Sequence, residues 1–161
     1  MHSISLALEN EDQTQQFGQR LGKLLRAGDV IALIGELGAG KTHLAQAIAT
    51  ALEIDASQVS SPTFALIQEH RGRLPLRHCD AYRLRDPHEF ADLGLDELFA
   101  MDGVAIVEWA DRVLADLPRD RLEIRITATG PRSRSVELFP TGIRSRELVD
   151  ELSRSPLACK I

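Results

Sequence analysis

The sequence predicts an α/β fold in which a mixed sheet, largely parallel at its core and extended by antiparallel hairpins, is flanked by helices. Two short, continuously apolar runs, 30–34 and 104–107, have the composition of strands buried on both faces of a parallel sheet. Segments with apolar residues three or four apart alternate with them and predict amphipathic helices. Strict alternation over 121–127 predicts a further strand with one face in solvent.

Local signals place the elements of the first half of the chain. Residues 3–8 alternate and predict a strand at an edge of the sheet. Asn10 is placed to cap a helix that runs to about residue 27, because two acidic residues fill the first turn. The apolar strand 30–34 follows, and the next helix runs from a glycine-rich loop to about Leu52.

The rest of the chain contains two predicted hairpins and several short helices. Pro75 lies in the first hairpin and predicts that its second strand starts late or lies at an edge. Asp86 followed by Pro87 is typical of a helix start. The predicted elements are hairpin strands 64–67 and 76–79, helices 87–91 and 95–100, strand 104–107, helix 110–115, strands 121–127 and 135–139, and helix 145–152.

The length of 161 residues predicts a single domain, with 146–161 as its terminal helix and frayed tail. A net charge of −5 argues against a chain that binds nucleic acid through its overall charge. The two cysteines lie far apart without metal-ligand spacing, which is typical of reduced cytosolic thiols. Because neither a signal peptide nor a membrane-spanning apolar run is recognisable, we expect a cytoplasmic protein.

The glycine-rich loop carries the strongest functional signal. Residues 35–42 read Gly-Glu-Leu-Gly-Ala-Gly-Lys-Thr and match the phosphate-binding pattern Gly-x-x-x-x-Gly-Lys-Thr. The glycines let backbone amides converge on phosphate oxygens, and the following helix adds the positive end of its dipole. Lys41 is expected to reach the β- and γ-phosphates, and the Thr42 hydroxyl to ligate Mg²⁺. With a buried strand before it and a helix after it, the loop predicts a P-loop NTPase-like fold that binds nucleotide phosphates.

Such a site also needs a carboxylate near its Mg²⁺, carried on a neighbouring strand end. Glu108 directly follows the second apolar strand and is favoured for this role, by direct contact or through water. Asp80 follows the segment 76–79 and is expected to orient a metal-bound water or the attacking water. The alternatives are a strand-end acid that faces solvent for Glu108 and an ordinary turn residue for Asp80.

Several nearby residues have a functional and a plain interpretation. Thr63 either contacts the γ-phosphate or belongs to a turn, and Arg83 either stabilises charge on the phosphate or lies at the surface. Tyr82 and Trp109 each follow an acid closely, so they either shape the site or simply pack. His78 has no evident partner in the sequence and is interpreted as structural.

Five blocks of sequence, taken in order, resemble one family. The phosphate-binding loop is the most specific of them, and the ordered set resembles the bacterial TsaE (YjeE) proteins over roughly residues 10–142. The departures from the family pattern are modest and remove neither a phosphate ligand nor a metal ligand: Glu36, His43 and Ala81. The blocks are Gly35–Thr42, Ser61–Phe64, His78–Leu84, Gly94–Glu97 and Val107–Ala110.

The resemblance implies a set of site residues. Thr42 and Glu108 lie at Mg²⁺ with Asp80 beside them, and Trp109 belongs to the family's Glu-Trp pair. Thr14 falls near the nucleotide base or ribose, and Arg134 approaches the nucleotide, with Arg132 as the alternative. The residues implied to hold the phosphates of ATP or ADP are Gly35, Glu36, Leu37, Gly38, Ala39, Gly40, Lys41 and Thr42.

The resemblance also implies a function. Proteins of this family are ATPases that act with a threonylcarbamoyl-transferring subunit and its non-catalytic paralogue, the TsaD and TsaB types. ATP binding and hydrolysis reset that complex between rounds of modification of the adenosine next to the tRNA anticodon, and any contact with tRNA is indirect. A small P-loop kinase and a regulatory nucleotide-binding module with negligible turnover are the alternatives. A kinase needs an acceptor pocket and usually an arginine-bearing lid, for which the hairpin near Arg71 and Arg73 is the one candidate.

Overall fold

Seven strands form one mixed sheet in a computed structural model that describes residues 3–36, 38–60 and 67–154. The strands are β1 (Ile4–Leu8), β2 (Val30–Ile34), β3 (Ile67–His70), β4 (Leu76–Asp80), β5 (Val104–Glu108), β6 (Leu122–Ala128) and β7 (Arg134–Pro140). Their order is β1-β7-β6-β2-β5-β4-β3. The central strands β6, β2, β5 and β4 run parallel, whereas β7, β1 and β3 pair antiparallel with their neighbours. The predicted parallel core with antiparallel hairpins is therefore confirmed.

Helices cover both faces of the parallel strands. The α-helices are α1 (Glu11–Leu24), α2 (Lys41–Ala51), α3 (Leu95–Leu98) and α4 (Ile143–Arg154). Residues of α1, α2 and α4 share one buried apolar cluster with the sheet, and residues of α3 and several 3₁₀ turns share a second. The 3₁₀ turns are Ala56–Gln58, Ala81–Arg83, Pro87–Leu93, Ala110–Arg112 and Leu114–Asp116.

Helix α1 begins where the sequence predicts and ends three residues early. The side chain of Asn10 accepts a hydrogen bond from Gln13 N at 2.9 Å, which confirms the predicted N-cap. The helix ends at Leu24 rather than near residue 27, because Leu25 is extended and fully buried. The Asp29 carboxylate then accepts from Arg26 N at 2.8 Å, which stabilises the turn into β2.

Helix α4 starts two residues before its predicted start. The carboxylate of Asp120 accepts hydrogen bonds from Arg144 N at 2.8 Å and from Ser145 N at 3.0 Å. These backbone donors belong to the first turn of α4, so a residue distant in sequence caps the helix. The predicted tail beyond the helix, 155–161, lies outside the described residues.

The hairpin and the edge strands agree with their sequence signals where the structure describes them. Strand β4 begins at Leu76, directly after Pro75, and therefore starts late as predicted. Strand β1 lies at an edge of the sheet. The first strand of the hairpin was predicted over 64–67, and residues 64–66 lie outside the described residues. The described strand β3 begins at Ile67. None of the described helices combines the length and hydropathy needed to cross a membrane.

Two glycines let α1 approach α2 closely, which matters because α2 starts at the phosphate-binding loop. A Cβ added at Gly18 would lie 2.4 Å from Ala47 Cβ. A Cβ added at Gly22 would lie 2.6 Å from both Ala51 Cβ and the Ile48 carbonyl oxygen. Because small residues face each other along this seam, a larger side chain on α1 displaces the helices.

We expect Gly22→Ala to lower the free energy of unfolding, measured by chemical denaturation. Overpacking against the Ile48 carbonyl costs about 1–3 kcal/mol, whereas replacing a mid-helix glycine gains only about 0.5–1 kcal/mol. Gln16→Ala, at an exposed position of the same helix, serves as the control and should leave stability nearly unchanged. A Gly22→Ala variant as stable as the wild type would contradict the close approach of α1 and α2.

Candidate functional site

The phosphate-binding loop connects the end of β2 to the first residue of α2. Gly38 and Gly40 have φ angles of 80° and 102°, in the left-handed region that glycine adopts without strain. Gly40 is also the N-cap of α2, and the first turn of this helix contains no acidic side chain. The amides and the dipole at the start of α2 therefore favour an anion there.

Lys41 connects the loop to the segment after β5. Its side chain is buried, and Nζ donates hydrogen bonds to the carbonyl oxygens of Gly35 at 2.6 Å and Glu36 at 2.9 Å. The same nitrogen lies 4.0 Å from the centroid of the Trp109 ring, a cation–π contact. A phosphate that binds the ammonium group has to compete with these carbonyl contacts.

Glu108 and Asp80 lie side by side, because they are register partners at the ends of the parallel strands β5 and β4. Both are buried, with 2% and 3% of their surface exposed. Thr42 Oγ1 donates a hydrogen bond to Glu108 Oε1 at 3.0 Å, which joins α2 to β5. Asp80 Oδ1 accepts from Tyr82 N at 2.9 Å and so also stabilises the turn after β4. The structure thus brings together the residues predicted to surround Mg²⁺.

His78 has a partner that the sequence analysis missed. Its imidazole Nε2 is hydrogen-bonded to Glu108 Oε2, and the His78 side chain is fully buried. The structural interpretation of His78 agrees with its burial, but its partner Glu108 was not predicted. The available signal was its spacing, because residues two apart on a strand share a face and His78 precedes Asp80 by two.

Negative charges outnumber the single positive charge of Lys41 among the groups that act on its pKa. Burial lowers the pKa of Lys41 below its ordinary value, and four nearby carboxylates oppose this shift. In decreasing order of effect, these carboxylates belong to Glu108, Asp80, Asp111 and Glu36. One ammonium group among so many carboxylates favours the binding of a further cation.

The donor atoms at this site suit Mg²⁺. A cavity of about 220 Å³ is lined by Gly38, Gly40, Lys41, Thr42, His43, Glu108 and Trp109. The hydroxyl of Thr42 and the carboxylate of Glu108 are oxygen ligands, as Mg²⁺ prefers. Across the described ranges, no cluster of three or more His, Cys, Asp or Glu side chains forms a complete metal cage. Since Mg²⁺ is commonly held by one or two carboxylates together with substrate phosphates, these residues fit a metal that binds with a nucleotide.

Thr14 and Arg134 line a second cavity, of about 150 Å³, on the other side of Gly40 and His43. Arg134 Nε donates to the Ala39 carbonyl oxygen at 2.7 Å and so connects β7 to the loop. Arg132 lines the same cavity, but of the two arginines it is Arg134 that is bonded to the loop. This arrangement is compatible with the predicted positions of Thr14 near the base or ribose and of Arg134 near the nucleotide.

An aromatic pair lies beside the acids. The rings of Tyr82 and Trp109 are 4.8 Å apart between centroids, and Trp109 adopts a left-handed φ of 57° directly after Glu108. Arg112 Nη1 donates to the carbonyl oxygens of Ala81 at 2.8 Å and Tyr82 at 2.9 Å. Arg112 thereby joins the segments that follow β4 and β5, which the sequence analysis did not anticipate.

Some predictions cannot be placed. Leu37 and Thr63 lie outside the described residues, as does the side chain of Arg83.

Of the two cysteines, Cys79 is a buried free thiol, and burial raises its pKa to about 12. Cys159 lies outside the described residues.

Comparisons with known proteins match most of the chain. A family model described as "Threonylcarbamoyl adenosine biosynthesis protein TsaE" matches residues 8–136. The tRNA threonylcarbamoyladenosine biosynthesis protein TsaE of Bacillus subtilis is 42% identical over 155 residues, covering 96% of each chain. The protein of the same name from Treponema pallidum is 39% identical over 125 residues, covering 76% of this chain and 92% of its own. The crystal structure of Bacillus subtilis YdiB superposes with a TM-score of 0.79 at 34% identity, covering 95% of both chains.

We expect Glu108→Gln to lower the pKa of Lys41 further, because Glu108 is the largest of the contributions that oppose the effect of burial. As the pH rises, the Lys41 ammonium should lose its proton earlier in this variant than in the wild type. The measurement is a pH titration of the lysine side-chain carbon resonances by NMR, which is tractable with three lysines in the chain. Glu36→Gln removes the smallest of these contributions and should shift the pKa less. Equal shifts in the two variants would contradict the proposed electrostatics.

Proposed function

The chain belongs to the TsaE family of threonylcarbamoyl adenosine biosynthesis proteins, and from this premise we propose that it is a Mg²⁺-dependent ATPase of that pathway. The nucleotide phosphates bind to the loop 35–42 and the start of α2. ATP and ADP occupy the same site, with the sugar and base extending toward Thr14 and Arg134.

The hydrogen bond between Thr42 and Glu108 is the observation that carries this proposal. It places a hydroxyl and a carboxylate 3.0 Å apart at the N-terminus of the helix that follows a phosphate-binding loop. In P-loop NTPases, Mg²⁺ is held by the loop Ser or Thr and by a strand-end acid of this type. When bound, the metal neutralises charge that develops on the phosphate oxygens.

The other residues of the site bind and orient. The loop amides and the α2 dipole bind phosphate oxygens, and Lys41 exchanges its contacts with Gly35 and Glu36 for a phosphate. Asp80, beside Glu108, orients the water that attacks the terminal phosphate. P-loop enzymes often turn over slowly until a partner completes the site, so we expect slow hydrolysis by the isolated chain.

The partners follow from the family. We infer that the chain acts on a complex of a threonylcarbamoyl-transferring subunit and its non-catalytic paralogue, of the TsaD and TsaB types. ATP binding and hydrolysis reset this complex between rounds of tRNA modification, while the transfer itself is carried out by the partner. With a net charge of −5, the chain is not suited to bind tRNA through its overall charge.

We expect ATP turnover by the wild type to rise when the transferring subunit and its paralogue are added. Lys41→Ala should weaken ATP binding roughly 10- to 100-fold, the equivalent of one lost charge-assisted hydrogen bond, and should abolish the stimulated turnover. Nucleotide binding is measured by calorimetry and turnover by phosphate release.

Lys23→Ala is the matched control, because Lys23 is exposed in the last turn of α1. It should leave both ATP binding and stimulated turnover unchanged. Turnover that requires an added small-molecule acceptor, and not the partner pair, would overturn the proposal in favour of a kinase.

We expect Glu108→Gln to raise the Mg²⁺ concentration needed for half-maximal turnover more than Asp80→Asn does. Glu108 contacts Thr42, the predicted metal ligand on the loop, whereas Asp80 is assigned to the water. The measurement is a Mg²⁺ titration of ATP turnover in the presence of the partner pair. A larger effect of Asp80→Asn would transfer the metal role from Glu108 to Asp80.

A further inference from the structure

Both carboxylate oxygens of Glu108 are engaged by side chains from different elements. Oε1 accepts from Thr42 Oγ1 at the start of α2, and Oε2 is hydrogen-bonded to His78 Nε2 on β4. A carboxylate with one engaged oxygen can still rotate about its last torsion, which is broad. With both oxygens engaged, the plane of the Glu108 carboxylate is determined.

His78 is placed to orient this carboxylate and is kept away from the nucleotide. The side chain has no exposed surface, and it lines none of the three cavities that residues of the loop help to form. Its Nδ1 has no hydrogen-bond partner among the described residues, so within that set the contact with Glu108 is the polar contact that His78 makes. Direct contact with phosphate or metal is therefore not its role.

Packing alone does not explain a histidine at this position. Leu76 lies two residues earlier on the same face of β4. It is fully buried like His78, but it is apolar. Burying an imidazole with one nitrogen unpartnered costs free energy that an apolar side chain of similar size does not. Leucine at position 78 would stabilise the fold as well as histidine or better. We therefore look for the role of this histidine in its contact with Glu108.

We propose that His78 is a positioning residue that holds Glu108 in the orientation in which its free lone pairs and the Thr42 hydroxyl face the metal of a Mg²⁺–nucleotide complex. The inference rests on the proposed function, since it concerns the same metal site. An ionised Glu108 only accepts hydrogen bonds, so His78 Nε2 carries the hydrogen. Partners of this kind, one shell behind the ligand, orient the ligands of metal sites.

The test compares His78→Leu, which removes the donor at similar volume, with His78→Gln, whose amide nitrogen takes the place of Nε2. His78→Leu should raise the Mg²⁺ concentration for half-maximal turnover roughly 10- to 100-fold, and His78→Gln should return it to within a few-fold of the wild type. A second readout without turnover is the Mg²⁺-dependent rise in melting temperature with ADP, which should weaken in parallel. Nucleotide affinity without Mg²⁺ should stay unchanged in both variants.

Leu76→Val is the control for a loss of packing on the same strand. It should lower the melting temperature without changing the Mg²⁺ response. If His78→Leu does not fold, His78→Asn replaces it, because its amide nitrogen takes the place of Nδ1 and cannot reach Glu108. His78→Asn should then show the raised Mg²⁺ requirement that His78→Gln lacks.

Coupling to Glu108 gives an independent criterion. In a Glu108→Gln background, replacing His78 by Leu, or by Asn if needed, should produce no further change in the Mg²⁺ response. Fully additive effects, a wild-type Mg²⁺ response in His78→Leu, or equal impairment in His78→Gln would each overturn the role of His78. A wild-type protein that binds nucleotide without any dependence on Mg²⁺ would overturn the proposed function as well, and this is measured before any variant.

Discussion

The site depends on the hydrogen bond between Thr42 and Glu108, which joins the first turn of α2 to the end of β5. Its two partners lie on elements that pack in the core, and the hydrogen bond is 3.0 Å long. Strand β2 leads into the loop and pairs in parallel with β5, so that Leu33 lies opposite Glu108. Glycines 18 and 22 let α1 pack closely against α2 and thereby hold the helix that carries Thr42. A shift of either element would separate the hydroxyl from the carboxylate.

Electrostatics and packing oppose each other at this edge of the sheet. Glu108, Asp80 and Lys41 are all buried, and burial lowers the pKa of Lys41. The ammonium of Lys41 offsets part of the carboxylate charge, yet four carboxylates surround it. Loop carbonyl oxygens add further negative potential, because they accept hydrogen bonds from the same Nζ. The negative potential of these groups is the reason for proposing that a nucleotide binds here together with a divalent cation.

Features that depend on neighbours in sequence could be predicted from the sequence alone. The loop 35–42, the Asn10 cap and the late start of the strand after Pro75 all follow from backbone preferences and hydrogen bonds within a few residues. The parallel core followed from two continuously apolar runs, and the family followed from ordered blocks of residues. Asp80 and Glu108 were both predicted near the metal, because such a site needs a carboxylate at a neighbouring strand end, and the structure places them side by side. Their roles toward ATP and Mg²⁺ stay predictions.

Contacts between residues far apart in the chain were decided by the tertiary structure. Asp120 caps α4 from 24 and 25 residues away and moves its start to Ile143. The pairing of His78 with Glu108 spans 30 residues and required the register of β4 on β5. The sequence by itself therefore determined the phosphate-binding loop, the strands around it and the family, because these depend on local patterns. Only the tertiary structure decided which side chains contact Glu108 and where α4 begins, because the partners of these hydrogen bonds lie far apart in the sequence and are brought together by strand register and packing.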